Sequence, residues 1–232
     1  MELHPDPARG VSVVLAAFNE EPTIASVIEG CRAHTPDLLE VIVVDDGSRD
    51  RTGALAESAG ARVIRLDPNG GKGRALRRGI AEARGDVLLF MDADAQDDPA
   101  DIPRLFAALD RTVDIVVGSR FLGSFGPGAI TPLNRAGNLF LTGVANVLFG
   151  VRLTDTLAGF KIVRRRVLEG MRLDADRYDI EVDLLLRAVR SGAIVREVGV
   201  KRMRREHGAS SLDSFRDGTR ILRRIVRIRA GR

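Results

Sequence analysis

Residues 86–99 read D-V-L-L-F-M-D-A-D-A-Q-D-D-P, and this stretch restricts the folds open to the chain more than any other. Five consecutive apolar residues, Val87 to Met91, have the pattern of a strand buried on both faces, and the run stops abruptly in carboxylates. Such a strand delivers acid to the edge of a sheet. Asp92 and Asp94, two residues apart at an irregular strand end, can turn toward one cation, and the amide oxygen of Gln96 adds a neutral hard ligand. Three oxygen donors suit Mg2+ or Mn2+. The plainer alternative is a polar loop in which Asp97 or Asp98, ahead of Pro99, caps the next helix.

The same arrangement repeats along the first half. Val11 to Ala17 is a short apolar run, followed by Phe18-Asn19-Glu20-Glu21-Pro22 and a helical pattern through Ile24, Val27, Ile28 and Cys31. Val41 to Val44 is a second buried strand, Asp45 to Ser48 a turn, and Asp50 can cap a helix over Thr52 to Ala59. A third strand, Ala61 to Leu66, leads through Pro68-Asn69-Gly70-Gly71-Lys72-Gly73 into a helix near Arg74 to Arg84. Strands alternating with helices predict an α/β fold with a largely parallel, Rossmann-like sheet flanked by helices. Ligands of such sheets sit beyond the carboxyl ends of the strands, where these loops collect.

Composition sets outer bounds. At 232 residues and 44% hydrophobic content, one domain with one substantial core is expected. Cys31 is the single cysteine, so an intrachain disulfide and a cysteine metal site are excluded. The first residues carry no leader pattern, and no run of eighteen apolar residues occurs, so the expectation is a cytoplasmic protein with no spanning helix. After residue 200 there are eleven Lys/Arg against three Asp/Glu in a chain whose net charge is +4, so the basic surplus lies in the tail. That suits anionic lipid headgroups or phosphorylated substrates. Nucleic acid is not expected, since Phe215 is the tail's one aromatic and no stacking platform is present.

The loops are consistent with a nucleoside diphosphate. Asp46 can accept from a base or ribose, Lys72 can meet a phosphate, and Gly71 and Gly73 permit close backbone approach. G-G-K-G is not a P-loop, because Leu66 stands where its first glycine belongs and Gly73 follows the lysine. Taken singly, each aspartate could equally serve turn geometry and Lys72 could be a solvated loop residue.

Together the motifs carry a resemblance. A-A-F-N-E-E (16–21), V-V-D-D-G-S-R-D-R-T (43–52), G-G-K-G (70–73) and D-A-D-A-Q (92–96) resemble family 2 glycosyltransferases in order and spacing. G-S-R (118–120), N-R-A-G-N (134–138) and D-T-L-A-G-F-K (155–161) extend the likeness toward the dolichyl- and polyprenyl-phosphate sugar synthases, over residues 11 to 212. The resemblance implies a GT-A fold, a nucleotide-sugar donor, a divalent cation and inversion at the anomeric carbon. It implies substrate-binding roles for Ala17, Phe18, Glu20, Asp46, Lys72, Asp92, Ala93 and Arg205, with the metal at Asp92, Asp94 and Gln96. The implied catalytic set is Asp94, Arg120, Arg135, Asp155 and Glu181, with Arg120 and Arg135 facing an acceptor phosphate. One departure concerns R-x-x-G-x-S-K, where this chain has Ser211 in place of the lysine.

The second half must make the acceptor side. Asp114 to Ser119 is a further strand, Gly123 to Pro132 a Gly/Pro-rich loop able to act as a mobile cover, and Asn134 to Phe149 a mostly apolar helix. That helix is either core or a membrane-surface element under a lipid acceptor. Glu181, on the helix running to Arg190, is either an active-site acid or a surface acid facing Arg187. An ionised lipid phosphate attacks without a base, whereas a hydroxyl needs a carboxylate such as Glu181 or Asp155. Residues 1–211 are expected to form the catalytic domain and 212–232 a basic amphipathic helix, with Arg216, Arg220, Arg223, Arg224 and Arg227 on one arc and Phe215, Ile221, Leu222, Ile225, Val226 and Ile228 on the other. Such a helix either rests on an anionic membrane, making the protein peripheral on the cytoplasmic face, or covers a core. The expected function is sugar transfer from GDP-mannose or a UDP-hexose to a polyprenyl phosphate. A saccharide or other soluble acceptor is the main alternative, and a sugar nucleotidyltransferase or a non-catalytic nucleotide-sugar sensor are the others. Donor identity and oligomeric state stay open.

Overall fold

The computed structural model describes residues 10–205, 207 and 214–231. Its first half is three strand–helix units followed by a fourth parallel strand. β1 (Val11–Ala17), β2 (Leu38–Asp45), β3 (Arg62–Arg65) and β4 (Val87–Asp92) are mutually parallel, connected by α1 (Ile24–His34), α2 (Thr52–Ser58) and α3 (Lys72–Glu82). After a 3-10 turn at Pro99–Asp101, α4 (Ile102–Ala107) leads to β5 (Ile115–Phe125). The second half continues with α5 (Pro132–Phe149), β6 (Lys161–Arg164), α6 (Arg165–Leu168), α7 (Ile180–Arg190), β7 (Val195–Arg202) and α8 (Ser214–Arg229).

Seven strands form one sheet in the order β3-β2-β1-β4-β6-β5-β7. β6 runs antiparallel to both β4 and β5, so the largely parallel expectation holds with one reversed strand. The chain leaves β1 toward β2 and later returns to place β4 on its other side. A crevice therefore opens beyond the ends of β1 and β4.

The apolar run of β4 is divided by the two-residue period of a strand. Leu89 and Met91 join one cluster with Ile24, Ile28, Ile102 and Leu105, while Leu88 and Phe90 join the opposite one with Leu76, Ile180 and Leu184. Asp98 caps the turn after the acid loop by accepting from Ala100 N at 3.0 Å, so capping and an acidic strand end coexist.

Two boundaries differ from expectation, and α8 takes up one of the two roles left open for it. Gly123–Phe125 belongs to β5, since Ser124 and Phe125 pair with Lys201 and Arg202, and the cover loop shrinks to residues 126–131. α5 starts at Pro132, capped by Thr131 Oγ1 accepting from Asn134 N at 3.2 Å, and buries only Leu141, Thr142 and Ala145; Leu133, Phe140 and Val147 are exposed. The apolar stripe of α8 is mostly consumed by packing, because Ile221, Ile225 and Ile228 are buried against Leu141, Ala145, Val182 and Leu186. Of that stripe Phe215 and Val226 are the exposed members. Ser211 and Leu212 lie outside the described residues.

Candidate active site

The crevice contains a cavity of about 990 Å3 walled on one side by the acid loop after β4 and on the other by α5 and α8. β4 places Asp92 and Asp94 at its mouth as the sequence pattern requires, and Asp97 follows at 3% exposure. Three carboxylates so close together need positive charge. Lys72 Nζ, at the start of α3, lies 2.5 Å from Asp92 Oδ1 and 2.7 Å from Glu181 Oε1. Arg202, at the end of β7, lies 2.8 Å from Asp97 and 3.8 Å from each of Asp92 and Asp94. Arg205 spans Asp94 at 3.1 Å and Glu20 at 2.5 Å.

These contacts set the charge states. Burial opposes ionisation of Asp92, yet the Lys72 ammonium and then Arg202 hold its carboxyl well below the usual range. Asp94 is pushed up by burial and by the neighbouring Asp92 charge. Asp97 is pushed up mainly by burial. Burial lowers the proton affinity of Lys72, but Asp92 and Glu181 outweigh it and raise the net value. Gly159 allows the ion pair to sit against backbone, since a Cβ there would come within 2.9 Å of Lys72 Nζ and 3.2 Å of the Asp92 carboxylate.

Glu181 lies 5% exposed between two lysines. Lys161 Nζ, 1% exposed on β6, donates to Glu181 Oε2 at 2.6 Å. Burial works against the Glu181 charge, but Lys161 and then Lys72 lower its pKa overall. A carboxylate held this way is a weak base. Arg187, the partner considered from sequence, instead pairs with Asp183 at 2.7 Å.

Several predicted residues stand elsewhere than expected. Asp155 is fully buried and takes a two-pronged contact from Arg120, with Nε at 2.7 Å and Nη2 at 2.8 Å; its place is that of a counter-ion behind the cavity wall, which opposes a role as base. Arg120 lines the cavity with its charge already matched. Arg135 projects from the first turn of α5 over the Phe125 ring at 5.8 Å and is not among the cavity-lining residues. Gln96 has both ends of its amide engaged within the protein, with Oε1 accepting from Arg202 at 2.9 Å and Nε2 donating to the Met203 carbonyl at 3.0 Å. Asp46, 3% exposed, accepts from the backbone of Gly70 at 2.9 Å and Gly71 at 2.7 Å, which shapes the loop ahead of Lys72. Ala17 and Ala93 are buried, and the Ala93 carbonyl accepts from Thr23 at 2.8 Å. Phe18 is exposed, while Glu20 borders a second concavity of about 560 Å3 with Asn19 and Asp50.

Lys161, Arg202 and Arg204 enter the site without having been singled out. A signal existed for Lys161, since a lone lysine followed by Ile162 and Val163 sits in a strand pattern and must find a buried counter-charge.

A sheet of this order, with an acidic loop opening onto the crevice beside its parallel half, defines a glycosyltransferase of the GT-A type. Residues 12–172 match the family model described as glycosyl transferase family 2. Glycosyltransferase AglJ of Haloferax volcanii is 31% identical over 219 residues, covering 94% of this chain and 71% of the relative. Polyprenol monophosphomannose synthase of Mycolicibacterium smegmatis is 32% identical, covering 89% of this chain and 82% of the relative. Among solved structures, glucosyl-3-phosphoglycerate synthase from Mycobacterium tuberculosis, in complex with Mn2+, uridine-diphosphate-glucose and phosphoglyceric acid, superposes with a TM-score of 0.75 at 27% identity, covering 96% of this chain and 80% of that one. The chain belongs to glycosyl transferase family 2 and is a glycosyltransferase. The nucleotidyltransferase and sensor readings receive no support from these comparisons.

Proposed function

We propose that the chain moves a hexosyl group from a nucleoside-diphosphate sugar to a phosphate-bearing acceptor, with Mg2+ or Mn2+ held by Asp92 and Asp94. The observation that carries this reading is the pair of carboxylates opening onto the large cavity at the sheet's crevice. Among the described residues no three His, Cys, Asp or Glu side chains form a metal cage. Two hard carboxylates nevertheless fit, because Mg2+ is commonly held by one or two of them together with water and substrate phosphates. A bound cation would supply positive charge to the departing diphosphate. Lys72, fixed between Asp92 and Glu181, adds a second positive charge at the same place. Arg205, which bridges Asp94 and Glu20, is the cation best placed to yield when donor and metal enter.

For the acceptor, the comparison with glucosyl-3-phosphoglycerate synthase supports a soluble phosphorylated molecule more strongly than the lipid expected from sequence. Polyprenyl phosphate is the second reading, and two observations favour it. Glu181 is a weak base and Asp155 is walled off, which suits an acceptor whose phosphate is the nucleophile and brings its own charge. Exposed Leu133, Phe140 and Phe215 border the same cavity, and a lipid chain would cover them. No helix among the described residues is long and apolar enough to cross a membrane. In the lipid reading, exposed Arg223 and Arg227 of α8 would face anionic headgroups. Incubating the chain and Mn2+ with GDP-mannose, UDP-glucose or UDP-N-acetylglucosamine, each with 3-phosphoglycerate or farnesyl phosphate, tests the proposal. Nucleoside diphosphate should appear for one donor and one acceptor class, and release with neither acceptor would reject it.

A further inference from the structure

Among the described residues five cationic side chains line the cavity, namely Lys72, Arg120, Arg202, Arg204 and Arg205. Four have acid partners: Lys72 has Asp92 and Glu181, Arg120 has Asp155, Arg202 has Asp97, and Arg205 has Glu20 and Asp94. Arg204 is the one cavity-lining cation that, among the described residues, pairs with no carboxylate.

Its position is built rather than incidental. On one side Met203 N donates to the Gln96 carbonyl at 2.7 Å and Arg205 reaches Asp94, which ties this segment to the acid loop. On the other side Gly126 N donates to the Arg202 carbonyl at 2.8 Å, which ties it to the turn between β5 and α5. The Arg204 stem lies along that turn, with Cδ 3.4 Å from the point where a Cβ on Gly128 would stand. The backbone on either side of Arg204 is therefore tied to both walls, and its exposed side chain lines the cavity along with Ala129 and Ile130.

We infer that Arg204 is the contact for the acceptor's phosphate, a role that rests on the proposed phosphate-bearing acceptor and that sequence resemblance gave to Arg120 and Arg135. Arg120 is neutralised by Asp155 and Arg135 lies off the cavity wall, so neither offers an unmatched charge inside. The planar fork of an arginine takes two phosphate oxygens at once, and a guanidinium without an internal acid partner loses no ion pair in doing so. The ligand class is a phosphate monoester, whether carried by a prenyl chain or by a small acid.

Isothermal titration of the full chain with 3-phosphoglycerate and with farnesyl phosphate, beside glycerate and farnesol, tests this. The wild type should bind one phosphorylated probe and not its unphosphorylated counterpart, and which probe binds separates the two acceptor sources. Arg204→Gln should weaken that binding at least tenfold while leaving the affinity for the nucleotide sugar with Mn2+ within twofold, and Arg204→Lys should recover part of it. Unchanged probe binding in Arg204→Gln, a loss seen in Arg135→Gln instead, or wild-type binding of the nucleotide sugar but of neither probe would overturn the inference. A wild type that binds a phosphorylated probe through Arg204 but no nucleotide sugar upholds the inference and removes the donor reading.

Discussion

At the scale of single residues, the site is governed by where buried charges find partners. Lys161 and Glu181 are 1% and 5% exposed, so each depends on the other and on Lys72. Glu181→Gln leaves the Lys161 ammonium buried without a counter-charge, and urea unfolding should show a loss of roughly 3–5 kcal/mol. Adding Lys161→Met to that variant should restore most of the loss. A single Glu181→Gln variant as stable as the wild type would mean that Glu181 is kept for chemistry rather than for holding Lys72. The folded-state pKa of Glu181 is depressed, so its stabilisation is fully present above the unfolded carboxylate value of about 4.3 and is lost progressively as pH falls below that value and through the lower folded one. The acid limb of the stability profile should accordingly flatten in the double variant. Cys31 offers an independent check of packing, since burial pushes its thiol up to about 12. A thiol reagent at pH 8 should leave the native chain unmodified and react once it is unfolded. Asp92 and Asp94 could be read from the sequence because an apolar run ending in acid has few other uses. Arg202 and Arg204 could not, because an arginine in a basic tail looks the same whether it faces solvent or a cavity more than a hundred residues away in sequence.

At the scale of elements, period and length identified the strands and helices but not their neighbours. The stripe on α8 was legible, yet a 3.6-residue stripe looks alike when it meets a bilayer and when it meets α5 and α7. Ile225→Ala should cost about 2–5 kcal/mol in urea unfolding, as for other buried isoleucines, whereas Val226→Ala, 52% exposed, should lie within roughly 0.5 kcal/mol of the wild type. The reverse ranking would place the apolar face outward. If α8 also touches an anionic surface, Arg223→Gln with Arg227→Gln should reduce co-sedimentation with anionic vesicles at low salt and leave stability unchanged. Arg224 is unsuitable for that test, because it already pairs with Asp179 at 3.0 Å. The extension of β5 through Phe125 was hidden for a different reason. Glycines and a proline near a strand end suggest a loop, but Gly123 instead lets the backbone approach β7, where a Cβ would come within 2.5 Å of Val200 N.

At the scale of the whole molecule, function follows from topology. Placing β4 beside β1 after the chain has run outward through β2 and β3 brings the acid loop, the start of α3 and the end of β7 around one crevice. Strand–helix alternation made the parallel half predictable, but the reversal of β6 was not, since no local signal distinguishes a parallel from an antiparallel buried strand of four residues. The reversal matters because it sets Lys161 under Glu181 and so fixes Lys72 against Asp92. In the proposed function this crevice performs cation-dependent sugar transfer through the strand-end acids. The decisive measurement is nucleoside diphosphate release from the preferred nucleotide sugar and acceptor, for the wild type with Mn2+, the wild type with excess EDTA, and folded Asp94→Ala with Mn2+. EDTA and Asp94→Ala should each lower the rate at least a hundredfold, or ~2.7 kcal/mol of barrier, with Mn2+ restoring the first and not the second. Release that continues at the wild-type rate in EDTA, or in Asp94→Ala, would contradict it.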